Sequence, residues 1–304
     1  MKIFHINIGR LLTLAFLAFG MANVSFAADA KPGNIKVLDV KGDVSQKLTT
    51  DGAPQPLVKN TFIQQGQVIK TGKGAKALLL MSNGTTISID QNTSFRVDKF
   101  TQTPFDSSNI SYRDSKTEPS RSHTLIFITE GSIVAQVAKL LKGSTFKIGT
   151  PAGVAEVHGT LIQVTVNTTA GGSVSVTVNL PQGLSDFAAT NGQQVTLSNG
   201  QTITVSSNPV TGTMTISNVS PLAAQTMQQI LSLAEQVASA IPATATFEGV
   251  PEGAPEQLGA ALPPPDQSGT TPGSDQSAGP VGGTGGNGTT IILPPIGTLY
   301  SDQN

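Results

Sequence analysis

The sequence predicts an all-β fold, with short antiparallel strands in a compact roll, sandwich or β-solenoid-like domain, followed by one helix and a disordered tail. Three observations predict it. From Val37 to Ile216 apolar residues alternate with polar ones in most windows, the period of a half-buried strand. Glycine turns such as Asn83-Gly84 punctuate the alternation, and a 3.6-residue repeat appears only afterwards, between Ser220 and Ile241. Composition agrees: 304 residues carry 32 Gly and 19 Pro, no Cys and no Trp, with only 12% charged residues. That charge fraction is about half of what soluble domains usually hold. Few charges and few aromatics argue against a nucleic-acid binder, and the missing Cys excludes a disulfide scaffold or a thiolate metal site.

Residues 1–27 read as an export signal. Lys2 and Arg10 supply a basic start, Leu11 to Phe19 is an apolar run, and Ser25-Phe26-Ala27 places small residues where a signal peptidase cuts. The run is interrupted by Gly20 and falls short of the ~20 apolar residues that a membrane span needs. Cleavage after Ala27 is expected, leaving a soluble periplasmic or secreted protein. Without Cys, its stability then rests on packing and backbone pairing.

The β-domain is expected over 36–218. Asn83-Gly84 sits between Ala77, Leu79 and Met81 on one side and Ile87 and Ile89 on the other, a hairpin signal that recurs at Asn199-Gly200. Ile162, Val164 and Val166 lead through Ala170-Gly171-Gly172 into Val174, Val176 and Val178, with Thr and Ser on the opposite face. Thr150-Pro151 reads as a strand start, where a missing N–H is harmless. A polar insert, 101–123, divides the domain. Gly72 and Gly74 lack the spacing and the following helix of a phosphate cradle, so they are read as turn residues.

Two blocks carry a family resemblance. One is Gly42-Asp43-Val44, then Thr71-Gly72-Lys73-Gly74-Ala75 and Leu78-Leu79-Leu80 up to Asn83-Gly84. The other is Gly131-Ser132-Ile133, then Thr150-Pro151-Ala152-Gly153 and Val157-His158-Gly159-Thr160. In this order they resemble the FecR domain, over about residues 38–166 with a looser continuation to about 205. His158 stands where the family usually has Arg, and Ile162 where an aromatic is frequent. The resemblance implies a regulator's periplasmic sensing domain, which in that family follows a cytoplasmic anti-sigma segment and a membrane helix. Here a signal peptide is expected in their place, which puts a direct anti-sigma role in doubt.

Catalytic chemistry finds little support. The chain beyond residue 27 has two histidines, His123 and His158, the first expected in a solvated loop and the second as a half-exposed strand residue. Asp90-Gln91-Asn92-Thr93-Ser94 resembles the start of a calcium loop, but Phe95 replaces the required Gly and Thr101 the bidentate Glu. No catalytic, cofactor-binding or metal site is expected, and no cofactor.

Charge divides the chain. Residues 28–147 hold 16 Lys and Arg against 10 Asp and Glu, a net of +6, and residues 148–304 hold 9 acids and no base. The basic part could face an anionic envelope surface or form an ordinary solvated surface. The helix, 220–241, has Ala223, Met227, Ile230, Ala234, Val237 and Ile241 on one face, with Ser220 as its cap and Pro221 in the first turn. That face is expected to dock on the β-domain or bind a partner. Residues 242–304 have 10 Pro, 12 Gly, 6 acids and no base, the composition of a disordered acidic tail.

The expectation is therefore an exported non-enzymatic FecR-like protein that binds or scaffolds in the bacterial cell envelope, through a protein or a cell-envelope polymer. The alternative is a periplasmic component of cell-surface signalling of the sigma-factor-regulating type. More remote is a polysaccharide-active β-solenoid enzyme, for want of clustered carboxylates. Oligomeric state is not readable.

Overall fold

The computed structural model describes residues 30–247 apart from 48–52, 107–109, 209–210, 212 and 242–246. The expected signal peptide and nearly all of the expected tail lie outside the described residues. Strands run β1 (Lys31–Pro32), β2 (Ile35–Lys41), β3 (Val44–Lys47), β4 (Gln55–Pro56), β5 (Phe62–Ile63), β6 (Val68–Thr71), β7 (Lys76–Met81), β8 (Thr86–Ile89), β9 (Ser94–Gln102) and β10 (Ser122–Gln136). Then follow β11 (Thr145–Thr150), β12 (Gly153–Val157), β13 (Leu161–Thr168), β14 (Val174–Gln182), β15 (Leu184–Ala189), β16 (Gln194–Ser198), β17 (Gln201–Asn208), β18 (Thr213–Ile216) and β19 (Ser220–Pro221). The helix α1 covers Ala224–Ala240.

Pairing sorts these strands into two open sheets. The first runs β4-β3-β6-β9-β10-β11-β12-β15-β16, with β1 on the end of β9. The second runs β5-β2-β7-β8-β10-β13-β14-β17-β18, with β19 also on β17. Strand pairs are antiparallel, as expected, with the one exception of β10 with β11. Only His123 to Phe127 of β10 pair with β11, so the second half of β10 and the loop after it together bring the chain back in the same direction.

Strand β10 belongs to both sheets. Its first part, Ser122 to Glu130, pairs with β9, and its second, Gly131 to Gln136, pairs with β13. Gly131 makes the crossing at φ +89°, where an added Cβ would stand 2.2 Å from Thr93 Oγ1. Only glycine adopts that backbone so close to a neighbour without strain.

Alternation then buries one face of each sheet against the other. Phe95, Val97, Phe100, Ile126, Phe146 and Ile148 from the first sheet meet Val37, Leu79, Ile87, Val164, Val176 and Ile203 from the second in one core. Each such side chain contributes about 1.5–3 kcal/mol of transfer free energy.

The local turns refine the sequence reading. At Asn83-Gly84 the loop has three residues, because Gly84 N–H donates to Met81 O at 2.9 Å and Met81 N–H to Thr85 O at 2.9 Å. Gly84 takes the left-handed position and Asn83 does not. The same form closes β13–β14 at Gly172 and β15–β16 at Gly192. Asn199-Gly200 makes no hairpin, since β16 lies in the first sheet and β17 in the second. Pro151 sits in the turn between β11 and β12 instead of starting a strand, and Thr150 Oγ1 donates to Gly153 O at 2.8 Å across it.

The helix begins later than the sequence predicts. Ser220 and Pro221 pair with Thr202 and Gln201, so the N-cap is Ala223, without a side-chain bond. The apolar stripe docks on the outer face of the second sheet. Ile230 packs with Val134, Leu161 and Leu222, and Val237 and Ile241 pack with Leu38, Leu78, Leu80, Tyr112 and Phe247.

Candidate functional site

Among the described residues no helix covers the outer face of the first sheet, and register fixes what that face presents. Lys47 opposes Val68, Val68 opposes Arg96, Arg96 opposes Phe127, and Phe127 opposes Gly149. These residues therefore form one cross-strand row. Phe127 lies flat across Gly149, where an added Cβ would stand 2.4 Å from the ring. The Arg96 guanidinium sits 5.6 Å from the Phe127 ring centroid, within cation–π range. Arg96 also pairs with Asp98, donating from Nε to Oδ1 and from Nη2 to Oδ2 at 3.1 Å. Beside this row Lys47, Val68, Lys70, Arg96, Phe127 and Thr129 line a shallow depression of about 210 Å³.

A second row reads Lys99, Leu125, Lys147, Glu156, Asp186 and Thr196. Charge changes sign along it, from Lys99 and Lys147 to Glu156 and Asp186. Lys147 Nζ lies 3.5 Å from Glu156 Oε2 at that junction. The overall division of charge in the sequence thus reappears across a single sheet face, basic towards β3, β6 and β9 and acidic towards β12 and β15.

The two histidines lie at the same end of this sheet, since His123 opposes Thr145 and Val157, the residue before His158, opposes Phe146. His158 follows β12 at a corner, not in a strand, and its Nε2 is 3.0 Å from Asp186 Oδ2 with both side chains about half exposed. Thr196 Oγ1 donates to Asp186 Oδ1 at 2.5 Å. The Thr196 hydroxyl, and after it His158, hold the Asp186 carboxyl below the usual range. His123 stands in β10 and not in a loop, with Nδ1 3.1 Å from Thr145 Oγ1. Burial, then the charge of Lys99, pushes its imidazole below the ordinary value. Neither histidine meets a nucleophile and a carboxylate together. Asp90 to Thr93 makes the β8–β9 turn and Ser94 opens β9, with Asn92 at φ +51° and Lys76 Nζ 3.3 Å from Asp90 Oδ1. Among the described residues no group of three His, Cys, Asp or Glu is placed to hold a metal.

The polar insert is anchored. Glu118 is 2% exposed and accepts from Ser122 Oγ at 2.6 Å and Leu141 N–H at 2.7 Å. Asn83 Nδ2 donates to the same Ser122 hydroxyl at 3.1 Å, and Tyr112 donates to Ser82 O at 3.2 Å. The insert is thereby tied to the β7–β8 hairpin and to the loop after β10. Nothing in the sequence singles out Tyr112 or Glu118, which lie in a run of Ser, Thr and charged residues.

The FecR protein family matches over residues 67–180, a stretch that starts one residue before β6, ends inside β14 and contains all of β10. Residues 67–180 therefore match a FecR domain. Among solved structures, two crystal structures of a proposed anti-sigma factor from Parabacteroides distasonis ATCC 8503, at 2.50 and 1.65 Å resolution, are similar to it. They share 15% and 16% identity, each with a TM-score of 0.38 over 54% of this chain. The chain spans 63% and 64% of their length. No curated protein matches. FecR domains are typically associated with the cell envelope, and no described helix is long and apolar enough to cross a membrane.

Proposed function

We propose that the chain is a non-enzymatic binding component of the bacterial cell envelope, acting in cell-surface signalling through a protein partner after export to the periplasm or beyond. The FecR domain at 67–180 carries this reading, because the family works by protein contact. The outer face of the first sheet, which no described helix covers, supports it, since a charge-divided face with a half-buried aromatic suits specific docking more than catalysis. The Lys47, Lys70 and Arg96 side of that face favours a second reading, a scaffold on an anionic envelope polymer.

Site-specific crosslinking separates the two. A photoreactive phenylalanine at position 127 of the full chain should capture a receptor or regulator domain when irradiated in intact cells. Capture of polymer without protein would overturn the signalling reading in favour of the scaffold.

A further inference from the structure

A cleft of about 630 Å³ lies beside α1 at one end of the second sheet. Its floor is one cross-strand row, because Thr86 of β8 opposes Gln136 of β10, Gln136 opposes Leu161 of β13, and Leu161 opposes Gln182 of β14. Two positions back along β10, Val134 packs with Leu222 and Ile230, so the helix seals that neighbouring row and leaves the terminal one open. Leu231, Ala234 and Ala238 of α1 add an aliphatic side, with Glu235 at the rim, while Lys116 and Lys139 bring positive charge.

Three features of this cleft point to a ligand. Thr86 is 2% exposed and its hydroxyl has no hydrogen-bond partner, an arrangement that native folds seldom leave uncompensated. Gln136 and Gln182, in the same row, have exposed amides without a protein partner among the described residues. Lys116 and Lys139 both line the cleft, their backbones joined by the Lys139 N–H donating to Lys116 O at 2.9 Å, and no ion pair among the described residues engages either. Arg113, also at the cleft, is occupied by the Ile241 carbonyl. A concave site of this volume, with convergent polar groups on one side and aliphatic carbon on the other, has the size and make-up of a small-molecule pocket.

We propose that the cleft binds an anionic sugar, with its carboxylate or phosphate between Lys116 and Lys139 and its hydroxyls along Thr86, Gln136 and Gln182. This site lies on the second sheet, so it stands or falls independently of the partner face on the first. Both acidic and phosphorylated sugars supply the chemistry.

Calorimetry on the full chain with glucuronate, glucose 6-phosphate and neutral glucose tests it. At least one anionic sugar should bind about tenfold more tightly than glucose, the effect of one charge-assisted hydrogen bond. The double variant K116A/K139A should lose that preference, and Glu235→Gln should tighten binding by removing the opposing charge. Thr86→Val should weaken binding about threefold, with its unfolding midpoint measured alongside. If Thr86→Val fails to fold, Gln136→Ala at the exposed neighbour serves in its place. Binding of neither anionic sugar, or binding unchanged in K116A/K139A, would overturn the proposal. Inorganic phosphate competing as well as glucose 6-phosphate would reduce the cleft to an adventitious anion site and overturn it equally.

Discussion

Arg113 and Ile241, 128 positions apart, are joined by two hydrogen bonds: Nε and Nη2 of the guanidinium donate to the Ile241 carbonyl at 2.8 and 2.6 Å. That carbonyl closes the C-terminal end of α1, where unpaired oxygens and the helix dipole both favour a cation. A residue from the polar insert therefore completes a helix whose own last turn has no basic residue. Arg113→Ala should cost about 1–2 kcal/mol. Amide exchange should quicken at Val237 to Ala240 and stay unchanged in the strands of the core. Lysine at 113, a point charge without the two-pronged geometry, should restore only part of the loss.

Glu118 is another anchor of the insert. Its two oxygens accept from Ser122 and from the Leu141 amide in a buried setting, so truncation would leave both donors without a partner. Glu118→Ala should cost about 2–4 kcal/mol, and Glu118→Gln less, because an amide keeps one acceptor oxygen. Denaturant titration that places both variants at the wild-type midpoint would show that the insert is not held in this way.

Strand alternation was legible because each sheet buries one face, which forces a period of two onto residues such as Val164 and Val166 or Val176 and Val178. Hairpin chemistry was legible at Gly84 for a similar reason, although its loop holds three residues. At Asn199-Gly200 the same dipeptide turns the chain from one sheet to the other, and local turn preference does not distinguish these outcomes. Ser220 looked like a helix cap, yet the pairing of Ser220 and Pro221 with β17 prevailed over a local signal worth about 1 kcal/mol. Both the charge-divided face and the cleft rest on register. Lys47 and Phe127 share a row, as do Thr86 and Gln182, only through pairings between strands far apart in sequence. No single-chain pattern records those pairings.

Gly131 offers a test of the strand shared by both sheets. Alanine there must accept φ +89° and also displace Thr93, whose Cα and Oγ1 lie 2.5 and 2.2 Å from the added Cβ. Gly74, at φ +70°, has nothing within 4 Å of its added Cβ. Gly74→Ala should therefore cost about 1 kcal/mol from backbone strain alone, while Gly131→Ala should cost 3 kcal/mol or more, on the order of an overpacked core site. Equal unfolding midpoints for the two variants would remove the close-packed crossing from the account of this fold.

Tyr112 gives the fold an alkaline limit. Burial against Leu80, Val237 and the Phe247 ring, whose centroid is 5.0 Å away, pushes its phenol from 10.0 up to about 12. Between those values the unfolded chain has lost this proton and the folded chain retains it. The contribution is thus complete below pH 10 and is lost as pH rises towards 12, so unfolding free energy should fall across that window. Tyrosinate absorbance should show a late phase in the native protein that Tyr112→Phe removes, since the chain has two tyrosines and the other is Tyr300. The same variant should flatten the alkaline fall in stability, at a cost near neutrality of about 1 kcal/mol for the bond to Ser82 O. A single absorbance phase near 10 in the folded protein would mean that Tyr112 is open to solvent and that the insert does not pack against the second sheet.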